Sequence, residues 1–148
     1  MNADGSNKTR LREGGHPVRD LTWSPDGAQI AFAEYAYPFG EEIYVMNAIG
    51  SGLTRLTSNE AQDLHPAWSP DGAKIAFTSH RDGEDYGSIY VMDADSNNQS
   101  RPTAGACCPT WSPDGTRIAF VHQPPNGEVA VIYLDDGHLS VLTDNDYQ

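Results

Sequence analysis

Short runs of alternating apolar and polar positions recur along the chain, separated by turn residues. Gln29-Ile-Ala-Phe32, Lys74-Ile-Ala-Phe77 and Arg117-Ile-Ala-Phe120 each carry the period of two expected of a strand. About twenty residues after the Trp that precedes each run comes a further strand-like segment: Ile43-Tyr-Val-Met46, Ile89-Tyr-Val-Met92 and Ile132-Tyr-Leu134. A third hairpin then leads to residues 53–57, 99–103 and 139–143. Immediately before each first run stands Trp-Ser-Pro-Asp-Gly, at 23–27, 68–72 and 111–115. Ser-Pro-Asp-Gly is a tight turn: Pro presets φ, Asp caps the turn and Gly tolerates positive φ. The turn therefore joins an inner strand ending at the Trp to a second, alternating strand. Ile and Phe of the second strand are expected to face one neighbouring sheet, while the small Ala residues leave room on the other face. A Trp repeated once per unit reads as a packing wedge between sheets. No stretch sustains a 3.6-residue apolar period, so the chain is expected to be all-β.

Four short antiparallel strands per ~44 residues is the period of a propeller blade. The divisions follow from the repeat: an outer strand of a preceding blade at 1–14, then blades at 15–58, 59–103 and 104–148. The motif Trp-Ser-Pro-Asp-Gly, followed by Ile-Ala-Phe and then Ile-Tyr-Val-Met with Asn47-Ala or Asp93-Ala-Asp95, resembles the WD-like repeat of TolB-like β-propellers. The same repeat occurs in the propeller domains of prolyl-oligopeptidase-like enzymes. The resemblance implies four-stranded blades and, by family habit, protein–protein contacts in the bacterial envelope, that is, the periplasm.

Met1-Asn-Ala-Asp-Gly-Ser-Asn7 aligns with Met46-Asn-Ala-Ile-Gly-Ser-Gly52, so the chain is expected to open at the end of a third strand and run into a surplus outer strand at 8–12. Such a frame reads as cut from a longer array or started at an internal Met. Three blades cannot close a ring, since closed propellers use roughly four to eight. Two raw faces lined with apolar side chains are therefore expected. A homodimer would supply six blades, and two-fold closure is the commonest assembly. A nine-bladed trimer and an open monomer are the alternatives.

The charge narrows the choice of partner. The 148 residues hold 21 acidic and 9 basic side chains, a net charge of −12. That field repels phosphate backbones and anionic lipid, so neither nucleic acid nor a membrane surface is an expected partner. A hydrophobic fraction of 38% is globular rather than disordered. No run approaches the ~18 apolar residues of a membrane helix, and the first residues carry no signal-peptide apolar region. The two cysteines, Cys107 and Cys108, are adjacent. Neighbouring cysteines rarely bridge, because their Cα atoms lie too close for relaxed disulfide geometry.

Catalytic motifs are missing: there is no Gly-x-Ser-x-Gly elbow, no His-Glu-x-x-His pair and no Gly-rich phosphate loop. No enzyme activity is expected. Aligning the inner strands on their Trp places Asp20, His65 and Cys108 at one level, three residues before it. Around a central channel they are plausible ligands for zinc or a similar metal, or simply half-solvated polar residues. Cys107 is expected to point to the other face and to pack there. Asp93-Ala-Asp95-Ser-Asn97 has the alternating oxygens of a calcium loop without its distal Glu, and is equally an Asx-rich hairpin. Asn7-Lys-Thr9 and Asn98-Gln-Ser100 are formal glycosylation sequons. Tyr35, Tyr37 and Phe39, on a hairpin whose counterparts are polar or Pro-rich, are candidates for protein contact.

Three functions fit these residues. The first is a non-enzymatic binding or scaffold module that self-assembles. The second is a piece of the propeller of a prolyl-oligopeptidase-like hydrolase. The third is a small protein holding a divalent metal, zinc or calcium, in its central channel.

Overall fold

The structure is a computed structural model that describes residues 10, 11, 13, 15–122 and 127–143. Its twelve strands form three four-stranded antiparallel meanders, one per repeat. The first holds β1 (Val18–Trp23), β2 (Gln29–Ala36), β3 (Gly40–Asn47) and β4 (Thr54–Arg55). The second holds β5 (Asp63–Trp68), β6 (Lys74–Ser79), β7 (Ser88–Asp93) and β8 (Ser100–Ala104). The third holds β9 (Ala106–Trp111), β10 (Arg117–His122), β11 (Glu128–Tyr133) and β12 (Leu139–Val141). The surplus strand at 8–12 falls largely outside the described residues, and Arg10 and Leu11 carry no strand. The sequon at Asn7 also lies outside them.

The repeated turn closes in the same way three times. Ser24 Oγ donates to Asp26 Oδ1 at 2.6 Å, and Ala28 N–H donates to the same oxygen at 2.9 Å. Ser69 with Asp71, and Ser112 with Asp114, repeat this arrangement. The closing glycines 27, 72 and 115 sit at φ of 69°, 70° and 71°, a region that a Cβ disfavours. These aspartates are held below the usual carboxylate range, first by the serine hydroxyl and then by the backbone N–H.

Strand alternation decides what lies between blades. Ile75, Phe77 and Met92 of the second blade pack with Trp68 against Ala31, Ala33, Ile43 and Val45 of the first. On the opposite side of the same sheet, Ala76, Ile89 and Val91 receive Ile118, Phe120 and Ile132 of the third. Large side chains of one blade thus enter a shallow bed of small and β-branched residues on the previous one. Each fully buried Ile or Phe contributes roughly 1.5–3 kcal/mol. The Trp wedge is present at both junctions. Trp68 is 9% exposed, and Trp111 donates its Nε1–H to the Ala67 carbonyl across the junction at 3.0 Å.

The register corrects one sequence alignment. Ile30 pairs with Met46 and Ile75 with Met92, but Ile118 pairs with Ile132. Ile132 therefore matches the methionines, and the counterpart of Ile43-Tyr-Val-Met46 is Val129-Ala130-Val131-Ile132. The Ile-Tyr dipeptide shared by 43–44 and 132–133 suggests an alignment three positions away, because identity at two residues carries no information on hydrogen-bond register.

The two outer faces of the stack differ, against the expectation of two raw apolar surfaces. The face of blade three turned away from blade two carries Ala119, Val121, Val129 and Val131, and Val129 is 43% exposed. The corresponding outer face of blade one is not bare: Ile30, Phe32 and Met46 are 5%, 1% and 7% exposed and cluster with Tyr44. On that blade the Leu11 carbonyl lies so close to Gly50 that a Cβ there would collide with it.

Candidate functional site

The three inner strands each contain a β-bulge at the same place. On β1 and β2, Arg19 pairs with Ala33 and Thr22 with Ala31, so Asp20 and Leu21 together oppose one residue. His65-Pro66 and Cys108-Pro109 do the same on β5 and β9. The first bulge residue is left-handed in every blade, with φ of 57° at Asp20, 52° at His65 and 61° at Cys108. Such a conformation costs on the order of 1 kcal/mol for a residue with a Cβ, and hydrogen bonds across the junctions hold it. His65 N–H donates to Asp20 Oδ2 at 3.3 Å, and Cys108 N–H donates to the buried Thr78 hydroxyl at 3.0 Å. Pro66 and Pro109 inside strands were the sequence signal for these bulges, since Pro is confined to edges and bulges.

The bulges gather Asp20, His65 and Cys108, with the two residues that follow each, around one hollow of about 390 Å³. His65 Nε2 lies 3.7 Å from Asp20 Oδ2, while its Nδ1 is buried and accepts or donates no hydrogen bond. Burial first, then Cys107 and Asp20, pushes the Cys108 thiol up to about 12. Among the described residues, no three His, Cys, Asp or Glu side chains converge closely enough to hold a metal ion. The hollow therefore presents a carboxylate–imidazole pair beside a protonated thiol.

Cys107 differs from its sequence-based expectation. It is half-buried, and its Sγ lies 2.9 Å from Cys108 Sγ, which donates to it. Left-handed backbone at Cys108 breaks the alternation that would have sent neighbouring side chains to opposite faces.

The Asx-rich hairpin is held by its own side chains. Asp93 takes Lys74 Nζ at 2.7 Å and Asn98 Nδ2 at 2.6 Å, and Asp95 takes the Asn97 N–H and side-chain amide. Tyr37 and Phe39 are 81% and 43% exposed at the tip of the β2–β3 hairpin, whereas Tyr35 is half-buried with its ring edge-on to His16. The counterpart hairpin in blade three runs through residues 123–126, outside the described residues.

Sequence reasoning passed over two buried ion pairs. Glu42, fully buried, accepts from Arg55, Thr57 and the Asn59 N–H. Asp63, also fully buried, accepts from Arg81, whose guanidinium covers the Tyr90 ring at 4.3 Å. They tie outer-strand and inter-blade segments together, and nothing local in the sequence marks them.

A model of the TolB β-propeller domain family matches residues 22–148. No curated protein matches the chain. Among solved structures, TolB from Acinetobacter baumannii is similar with a TM-score of 0.74 at 30% identity, over 84% of this chain and 32% of that one. A putative TolB from Agrobacterium tumefaciens gives a TM-score of 0.76 at 29% identity, over 88% of this chain and 48% of that one. The chain thus spans less than half the length of either. A puromycin-hydrolyzing peptidase from Mycobacterium tuberculosis reaches a TM-score of 0.76 at 17% identity, over 96% of this chain and 24% of that one, a likeness of fold alone.

Proposed function

Because the chain belongs to the TolB β-propeller family, we propose that it is a non-catalytic binding module whose three blades form half of a six-bladed ring completed by a second copy. Its hairpins and central hollow would then recognise a protein or peptide. TolB-like proteins are periplasmic, and that compartment is the one we assign to this module. The sequence carries no nucleophile motif, and the likeness to the peptidase concerns the blades only, which supports binding over hydrolysis.

The observation that carries the assembly is the outer face of blade three. Ala119, Val121, Val129 and Val131 repeat, position by position, the beds Ala31, Ala33, Ile43, Val45 and Ala76, Thr78, Ile89, Val91 that receive the next blade inside the chain. At the other end Trp23 is 59% exposed, where Trp68 and Trp111 are wedged. On the second copy the entering surface would be Trp23 with Ile30, Phe32 and Met46. The last three are buried within one chain, so assembly requires them to be uncovered. Two-fold symmetry makes two such junctions, and burial of the blade-three bed and of Trp23 at ~25 cal/mol per Å² drives both.

Light scattering across a dilution series tests this. Twice the chain mass at micromolar concentration is expected, and Val131→Asp, which places a charge on the bed, is expected to give a folded species of single-chain mass. A compact species of single-chain mass for the unaltered protein at every concentration overturns the ring.

A further inference from the structure

The bulge on β9 has a chemical consequence that its two counterparts lack. Arg19-Asp20 and Leu64-His65 occupy the same left-handed step as Cys107-Cys108, so the backbone shape belongs to the repeat and not to the cysteines. In an ordinary strand, adjacent side chains leave on opposite faces and their sulfurs cannot meet. Here the step brings both thiols to one side, 2.9 Å apart. Cys108 is exposed beside the hollow and its backbone is fixed by Thr78.

We propose that Cys107 and Cys108 form a thiol–disulfide exchange site that reacts with small-molecule disulfides and closes into a bridge between adjacent residues. A disulfide needs its sulfurs about 2.05 Å apart, so the two must approach by a little under 1 Å. Consecutive Cα atoms are about 3.8 Å apart across a trans peptide, shorter than the usual 4.4–6.8 Å of a relaxed bridge. The resulting ring is strained and therefore readily reduced, which makes it an exchange site rather than a structural staple.

Cys107 loses its proton, and its sulfur, which accepts the Cys108 S–H, attacks one sulfur of the incoming disulfide. That S–S bond breaks and the first small thiolate leaves and is protonated. The mixed disulfide removes the Cys107 hydrogen bond and charge that help to hold the Cys108 thiol up; Cys108 then loses its proton to water and attacks Cys107 Sγ, breaking the mixed disulfide and releasing the second small thiol. The protein loses two electrons and two protons, and one small disulfide becomes two small thiols.

Glutathione redox buffers provide the test. The full chain is equilibrated with graded ratios of oxidised to reduced glutathione, quenched by alkylation, and weighed by mass spectrometry. The expected product of the unaltered protein is a single chain lighter by two hydrogens, with no glutathione attached, and it returns to the dithiol on excess reduced glutathione. Cys107→Ser and Cys108→Ser are each expected to stop at a stable single glutathione adduct. An unaltered protein that retains glutathione, links two chains, or stays a dithiol in oxidised glutathione alone overturns the proposal.

Discussion

Asp26, Asp71 and Asp114 each accept from a serine hydroxyl and a backbone N–H two residues on, and each is held below the usual carboxylate value of 3.8. A group whose pKa falls on folding contributes stability that is complete above the unfolded value and fades as pH drops through the folded one. The melting temperature is therefore expected to be level between about pH 5 and 7 and to fall below about pH 4 as these turns protonate. Asp71→Ala should lower the melting temperature at neutral pH and make the acid decline shallower, as read by thermal denaturation in a pH series. An acid limb as steep as that of the unaltered protein would show that the turn carboxylates are not its source. This part of the molecule was legible in the sequence, because a turn of four residues satisfies its own hydrogen bonds and its chemistry is local. The conformation of Cys108 was not, because its left-handed φ is held by Thr78, thirty residues away and on another blade.

At the scale of strands, alternation assigns each side chain to a junction, and the junctions are where stability resides. Phe77 is fully buried between blades one and two. Phe77→Ala is expected to destabilise the chain by about 3–5 kcal/mol, measured by urea unfolding. Phe39→Ser at the exposed hairpin tip should change stability by no more than about 0.5 kcal/mol. If Phe39→Ser proved as damaging as Phe77→Ala, the hairpin tip would be packed rather than offered to a partner. The faces of β2 and β6 were readable from Ile-Ala-Phe alone, as a period of two needs no partner to define it. The face of β11 was not, because Val129-Ala-Val-Ile lacks the aromatic residue that marks Tyr44 and Tyr90, and only pairing to β10 places it.

The whole molecule creates the hollow, since Asp20, His65 and Cys108 come from three different blades. As they stand the three do not converge closely enough to hold a metal ion, so a divalent ion would have to draw them together, and where it does so saturating zinc raises the melting temperature by binding the folded chain and not the unfolded one. Thermal denaturation with and without zinc reads the shift, and His65→Ala, which removes the donor whose Nδ1 is buried without a partner, is expected to abolish it. An unaltered protein insensitive to zinc would reduce the trio to polar residues tolerated beside solvent. The two ends of the stack are also properties of the whole. Blade three offers an open bed, while on the outer face of blade one Ile30, Phe32 and Met46 are already buried and Trp23 is exposed.

The sequence by itself determined the three-fold repeat, the four short strands of each unit, the Ser-Pro-Asp-Gly turns and the wedge role of Trp68 and Trp111. Each of these follows from residues within a few positions of one another, where steric preference and alternation act without tertiary help. Equivalence of Asp20, His65 and Cys108 was also readable, as a distance of three residues from a repeated Trp. Only the tertiary structure decided how near those side chains come, that Cys107 turns beside Cys108, and that Ile30, Phe32 and Met46 on the outer face of blade one are covered. Those outcomes depend on bulges held from a neighbouring blade and on packing between segments far apart in the chain, and such contacts leave no local pattern to read.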